Sequence, residues 1–247
     1  MNISEERQKE LKWNLETDGY TYNMNNEEER EKAMAFARLV GFICTDGSLS
    51  IAPDSIVGSI VVGCNIDLSV ILDDIELLTE KRPKPYFNVS ERGDTFAIKL
   101  PQFFARRVGS LKNMTVGRRT VQIPTWPSFV LDESCPKSII REFLGGMFGG
   151  DGWAPYLVTN KQDGQGTVTF NGPAISLSAI EELSDELTEK MEEVVTMLDR
   201  VGVTGARVEK PKPYEINDHK MVRCNVQLQR GTEFGNNVGF RYCVQKM

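Results

Sequence analysis

Leu39-Val40-Gly41-Phe42-Ile43-Cys44-Thr45-Asp46-Gly47 is echoed later in the chain by Leu144-Gly145-Gly146-Met147-Phe148-Gly149-Gly150-Asp151-Gly152. Each stretch reads as an apolar, small-residue-rich helix that stops at Asp-Gly. The acid is the oddity. A helix C-terminus carries partial negative charge, so an Asp there is unfavourable by a few tenths to about 1 kcal/mol. Its appearance twice asks for a cation or a catalytic reason.

The echo extends outward from the two motifs. Lys81-Arg82-Pro83-Lys84-Pro85-Tyr86 recurs as Glu209-Lys210-Pro211-Lys212-Pro213-Tyr214, an offset of 211 − 83 = 128. Phe96-Ala97-Ile98-Lys99-Leu100 matches Cys224-Asn225-Val226-Gln227-Leu228 at the same offset, and Val108-Gly109 matches Val238-Gly239 at 130. The Asp-Gly motifs are 151 − 46 = 105 apart, so the second half holds about 23 extra residues. They are expected in a long acidic helix over 178–200, where the first half has a shorter one over 67–79.

Each half reads as helix, two strands, helix, two strands. Phe36, Leu39, Val40 and Ile43 lie on one broad apolar stripe of a helix over 28–45. Short strands follow near 49–51 and 59–62, then the 67–79 helix and a strand pair near 87–90 and 95–100. Pro124, Pro127 and Pro136 punctuate a connecting segment before a second helix over 137–150. The expected organisation is a polar N-terminal extension over 1–27, a first half over 28–123, a linker over 124–136 and a second half over 137–247.

Gly145, Gly146, Gly149 and Gly150 each cost a helix interior roughly 0.5–1 kcal/mol relative to Ala. That loss is offset if a second backbone approaches the cleared face. Ala37, Gly41 and Thr45 clear a similar strip on the first helix. Packing the strips together joins the halves and brings Asp46 and Asp151 close at one end, with Gly47 and Gly152 expected in left-handed turn conformations. Two carboxylates so placed repel unless a cation intervenes. Oxygen ligands without His or Cys suit Mg²⁺, which activates water and stabilises a departing phosphate oxygen. Gly-Gly-Met-Phe-Gly-Gly-Asp-Gly is no phosphate loop, since it lacks the Lys-Ser/Thr ending and closes a helix.

With 40% hydrophobic and 26% charged residues the composition is that of a globular protein. No run of about 18 apolar residues offers a membrane span, and the charged N-terminus has no signal core. Cys44, Cys64, Cys135, Cys224 and Cys243 lack metal-ligand spacing, and one histidine, His219, leaves zinc without a ligand set. An odd, unpatterned cysteine set fits an intracellular, reduced protein. The net charge of −6 conceals polarisation: residues 81–119 carry ten Lys/Arg against two acids (+8), whereas 181–193 carry seven acids against one base (−6). Local field matters more than the sum for a polyanion, although charge runs are also what solvated faces carry. Arg223, Asn225, Gln227 and Gln229 alternate with Val222, Cys224, Val226 and Leu228. One face of that strand is apolar and the other hydrogen-bonds base edges or phosphates; a plain solvent-facing sheet shows the same alternation. Asn217-Asp218-His219-Lys220 reads as a turn with His219 at the surface.

The two ungapped Asp-Gly motifs resemble the signature of the LAGLIDADG homing endonucleases in their single-chain, two-motif form, and the likeness covers most of residues 30–247. Val238-Gly239-Phe240-Arg241-Tyr242-Cys243-Val244-Gln245-Lys246 and Ile123-Pro124 resemble the endonuclease domains carried inside inteins. The family implies an α/β (α+β), pseudo-two-fold duplicated αββαββ(α) fold whose two antiparallel sheets form a DNA-binding saddle. It implies a monomer, with no membrane association, that breaks both strands of a long double-stranded DNA target by metal-activated hydrolysis. Asp46 and Asp151 would bind Mg²⁺, with Mn²⁺ or Ca²⁺ able to substitute in binding. A basic residue is implied near each scissile phosphate. The position three before Pro124 is Val121, a departure, so the role passes to Arg119 in the first half and Lys246 in the second, with Arg118, Lys112 and Arg241 as fallbacks. Lys99, Arg118, Lys161, Lys220, Arg223, Asn225, Gln227, Gln229 and Arg241 form the expected DNA-contacting set. Self-splicing signatures are absent, as no Cys or Ser opens the chain and Gln245-Lys246-Met247 closes it. The competing expectations are a non-cleaving nucleic-acid-binding protein on the same fold, as an RNA-splicing maturase or a transcription regulator, and a purely structural protein whose small-residue helices merely pack.

Overall fold

The computed structural model describes residues 4–89, 93–162 and 165–246. Helix α1 (Glu5–Lys12) leads into a hairpin of β1 (Asn14–Thr17) and β2 (Tyr20–Asn23). The first half then runs α2 (Glu27–Ile43), β3 (Gly47–Ala52), β4 (Ser55–Val62), α3 (Asn65–Thr79), β5 (Tyr86–Asn88), β6 (Thr95–Lys99) and α4 (Gln102–Gly109). One turn of helix, α5 (Ser128–Leu131), sits in the connecting segment. The second half comprises α6 (Lys137–Asp151), β7 (Gly152–Trp153), β8 (Tyr156–Gln162), β9 (Gln165–Asn171), β10 (Ala174–Ile180), α7 (Ser184–Arg200), β11 (Ala206–Val208), β12 (Lys212–Ile216), β13 (His219–Leu228) and α8 (Gly231–Asn237). Among the described residues, no helix is long and apolar enough to cross a membrane.

The duplication is visible in the strand registers. The first sheet has the order β3-β4-β6-β5; the second runs β11-β13-β10-β7, with β12 also paired to β13. Gly47 pairs with Ile60 and Ile60 with Ile98; Gly152 pairs with Ile175 and Ile175 with Val226. These three equivalences have offsets of 152 − 47 = 105, 175 − 60 = 115 and 226 − 98 = 128. The extra residues therefore divide into 10 before the second strand of the sheet and 13 after it. The first group builds the β8–β9 hairpin. The acidic helix, where all 23 were expected, is only two residues longer than its counterpart, 17 against 15. Most of the second group forms the turn before α7 and the added edge strand β11.

The Pro-Lys-Pro-Tyr repeat is less symmetric than its sequence. Tyr86 pairs with Ala97, whose counterpart is Asn225, whereas Tyr214 pairs with Met221. The reason is the turn. Asn217 and Asp218 both adopt positive φ (48° and 62°), as a two-residue hairpin turn matched to strand twist requires. This tight turn resets the register, and it leaves His219 exposed at the start of β13.

The core is continuous across both halves. Residues 14–24, expected to be part of a polar extension, contribute to it: Leu15, Tyr22 and Met24 are buried, and the Tyr22 ring lies 5.4 Å from Phe36. The connecting segment is likewise built in. Trp126 is buried and donates to the Lys190 carbonyl at 3.0 Å, while Arg200 donates to the carbonyls of Val130 (3.0 Å) and Asp132 (2.6 Å).

Helices α2 and α6 pack against each other through missing side chains. A Cβ on Gly41 would strike the Phe143 carbonyl, and one on Gly146 would strike that of Arg38. The four glycines of α6 serve two faces, not one. Gly146 and Gly150 meet α2 and Thr45; Gly145 and Gly149 meet Arg241 in the C-terminal segment. Gly47 and Gly152 are not left-handed, contrary to expectation: neither has positive φ, and Gly152 is extended at φ −78° and ψ 161°. They are glycines because a Cβ would collide with their own helix, at Ile43 and at Phe148.

Candidate functional site

The crossing of α2 and α6 carries both aspartates to one end of the pair. Gly150 is the contact point: a Cβ there would collide with Thr45 Oγ1 and lie 3.3 Å from Asp46 Cγ. Its absence lets the Asp46 carboxyl lie against the last turn of α6, whose final residue is Asp151. Each helix end also receives a cation from its own half. Arg119, opening a 3₁₀ turn (Arg119–Val121), donates to the Cys44 carbonyl at 2.6 Å. Lys246, closing another (Val244–Lys246), donates to the carbonyls of Gly150 at 2.6 Å and Gly149 at 2.8 Å. Two C-terminal aspartates are thus tolerable because a guanidinium and an ammonium answer the negative helix ends.

Electrostatics ties the four groups into one site. Removal from water pushes the Asp151 carboxyl up to about 6, the Asp46 charge pushes the same way, and Arg119 and Lys246 oppose. Asp46 keeps an exposed edge, yet the protein around it still raises its carboxyl above the ordinary range, against the pull of Lys246 and Arg119. Two desolvated carboxylates, Asp151 raised further by the charge of Asp46, are a hard-oxygen donor set that a divalent cation satisfies. Among the described residues no three His, Cys, Asp or Glu side chains converge. A cation here would have the two aspartates as its charged protein ligands, with water or a phosphate oxygen completing the shell.

The segment bearing Lys246 is moored across the halves. Val244 donates its N–H to Asp67 at 2.8 Å, and the buried Tyr242 hydroxyl donates to Asp74; both acids belong to α3. Arg38 of α2 holds Asp74 through Nε at 2.7 Å. Burial beside Asp74 pushes the Tyr242 phenol well above its usual range. Arg241 donates to Glu142 at 2.9 and 3.0 Å, and its backbone N–H donates to Gly145 O at 2.9 Å. No sequence pattern announces this network, because its members lie up to 177 positions apart.

The expected DNA-contacting residues divide sharply. On β13, the apolar face Val222, Cys224, Val226 and Leu228 is buried as expected, and Arg223 on the strand and Gln229 just past its end are exposed. The Arg223 guanidinium stacks 5.2 Å from the Tyr214 ring centre. Lys99 and Arg118 are exposed too. Three members of the set have partners within the fold. Asn225 is buried and donates to Glu209 at 3.0 Å, Gln227 donates to the Gly172 carbonyl at 3.0 Å, and Arg241 is spent on Glu142. Lys220 is exposed but, by strand alternation, shares the face of Val222 instead of Arg223. Lys161 lies in β8, and its side chain falls outside the described residues. Sequence reasoning missed the β8–β9 hairpin, where Leu157, Val168 and Phe170 are 67%, 63% and 58% exposed on one face.

No family model matches the chain. A curated relative, the replication factor C small subunit of Methanocaldococcus jannaschii, is 30% identical over 207 residues, which cover 79% of this chain and 10% of that protein. The chain thus spans about a tenth of the length of the curated relative it matches. Among solved structures, the chain is similar to the homing endonuclease I-WcaI bound to its DNA recognition sequence (13% identity, 87% of this chain and 88% of that one, TM-score 0.47). It is similar to I-DmoI in complex with DNA and Ca (12%, 84% and 90%, TM-score 0.46). It is also similar to full-length DUF199/WhiA from Thermatoga maritima (13%, 96% and 61%, TM-score 0.46).

Proposed function

We propose that this chain is a LAGLIDADG-type, sequence-specific DNA endonuclease that hydrolyses both strands of a duplex target as a monomer with internal pseudo-symmetry. One observation carries the reading: two aspartates at the adjoining ends of α2 and α6, each with a cation from its own half on the same helix end. A structural helix pair has no use for that arrangement. Bound Mg²⁺ would supply a Lewis acid and a nucleophilic water at neutral pH. Asp46 and Asp151 would hold it, one towards each strand, while Arg119 and Lys246 would balance charge developing on the phosphate. Lys99 and Arg223 would meet the duplex from the outer faces of the two sheets, with Gln229 just past β13 and Arg118 from the segment before the Arg119 turn.

A match that covers most of this chain but a tenth of a longer protein is what a domain inserted into a host chain leaves. It supports reading this chain as an insertion-borne, intein-related endonuclease. The non-cleaving alternative draws on a different observation, that Arg119 and Lys246 are already hydrogen-bonded to helix carbonyls. Incubating a plasmid library carrying randomised sites with the protein and Mg²⁺ separates the two. Linearised plasmids sharing a site support the nuclease. Tight binding with no cut on any site, in Mg²⁺ or Mn²⁺, leaves the binding protein.

A further inference from the structure

A second cationic feature lies at the outer edge of the first half. Lys81, Arg82, Lys99 and Arg106 line one cleft of about 520 Å³, where the segment after α3, the end of β6 and the start of α4 meet. No acid lines it. Arg82 is answered from outside by Asp73 and Glu76, at 2.6 and 2.8 Å. The two lysines are held over aromatic rings, Lys81 5.7 Å from the Phe103 centre and Lys99 5.6 Å from that of Tyr86. Such placement fixes the ammonium groups while leaving their donors to a ligand. Lys81, Lys99 and Arg106, which no carboxylate among the described residues pairs, repel one another, and an anion relieves that repulsion.

The cleft joins the outer face of the first sheet. Lys99 pairs with Ser59 and Ser59 with Ser48, a row that begins two residues after Asp46. At about 4.8 Å between strands, Lys99 stands roughly 10 Å across from Ser48, about three base steps of a duplex. The second half keeps one of the four cations. At the 128-residue offset Arg82 becomes Lys210, but Lys81 becomes Glu209 and Lys99 becomes Gln227, and at the 130-residue offset of the following helix Arg106 becomes Asn236. Glu209 is bonded to Asn225 and Gln227 to Gly172.

We infer that this cleft grips backbone phosphodiesters of the DNA strand leaving the first sheet, so that the first half supplies sequence-independent hold that the second half lacks. This rests on the DNA-binding reading above. Phosphate contacts position a protein without reading sequence, and each one lost lowers the salt dependence of log K by about 0.9.

The test is metal-free binding of the intact chain to random-sequence duplex DNA across a salt series. It compares wild type, the double variant Lys81→Gln/Arg106→Gln, and a control of equal net charge, Lys9→Gln/Lys84→Gln, whose exposed lysines lie outside the cleft. The expected result is a salt slope shallower by about 2 in the cleft variant, weakened alike on unrelated sequences, with the control near wild type. Equal changes in both variants, or none in the cleft variant, overturn the cleft while leaving the DNA-binding reading intact. Wild type that binds no duplex even at low salt overturns both.

Discussion

Replacing Asp151 with Asn should stabilise the metal-free protein, and only above a definite pH. The folded state raises this carboxyl from 3.8 to about 6. Below the lower value the group is protonated whether the chain is folded or not, and it contributes nothing. Between the two values the unfolded chain ionises first, so stability drains away as pH rises; above about 6 the full penalty stands. A unit difference is worth about 1.4 kcal/mol, so the rise from 3.8 to about 6 corresponds to about 3 kcal/mol at most. Solvent at the open edge of the site screens part of this, leaving on the order of 2 kcal/mol. For a chain of this size that is a gain of roughly 4–8 °C in melting temperature. Thermal unfolding of wild type and Asp151→Asn in chelator, from pH 4 to pH 8, should show curves that coincide at the acid end and separate through pH 4–6. Millimolar Mg²⁺ should then close the gap by stabilising wild type alone. A variant less stable than wild type at pH 8 without metal would falsify this reasoning, because Asp151 would then be a structural partner and not a strained ligand.

Gly146→Ala drives a methyl into the Arg38 carbonyl and should destabilise by several kcal/mol; Gly63→Ala, which opens on empty space, should move denaturant midpoints by less than about 0.5 kcal/mol. Tyr242→Phe leaves Asp74 short of one donor, a loss of about 1–3 kcal/mol by urea unfolding. It should lower cleavage together with Lys246 placement, while nonspecific DNA affinity holds. Arg223→Ala should weaken target binding by about 1–3 kcal/mol and relax one base preference in a site-selection experiment. Asn225→Ala should instead lower stability, since that amide faces Glu209.

What could be read before folding was whatever is local or repeated. The Asp-Gly endings, the glycine-cleared contact between the helices and the apolar face of β13 depend on near neighbours, and the structure keeps these. The Phe96–Leu100 and Cys224–Leu228 match survives to the residue in the Ile98 and Val226 registers. What failed depends on partners supplied from afar. Asn225, Gln227 and Arg241 have the chemistry of nucleic-acid contacts, but Glu209, Gly172 and Glu142 engage them first. A tally of polar residues cannot foresee which ones the fold itself consumes. Charge around 14–24 hides its hydrophobic residues, and an Asp-Gly ending suggests a turn glycine where the constraint on Gly47 and Gly152 is steric.

The mooring of the C-terminal segment has a consequence for recombination. Lys246 serves the α6 end of the site, but Asp67, Asp74 and Arg38, which hold its segment in place, all belong to the first half. The two halves therefore do not form interchangeable cartridges. A chimera joining this second half to another protein's first half would keep the Arg241 contacts to Glu142 and Gly145 but lose the rest of the anchorage, unless Arg38, Asp67 and Asp74 travelled with it. Grafting those three side chains is the smallest change that should restore a working hybrid.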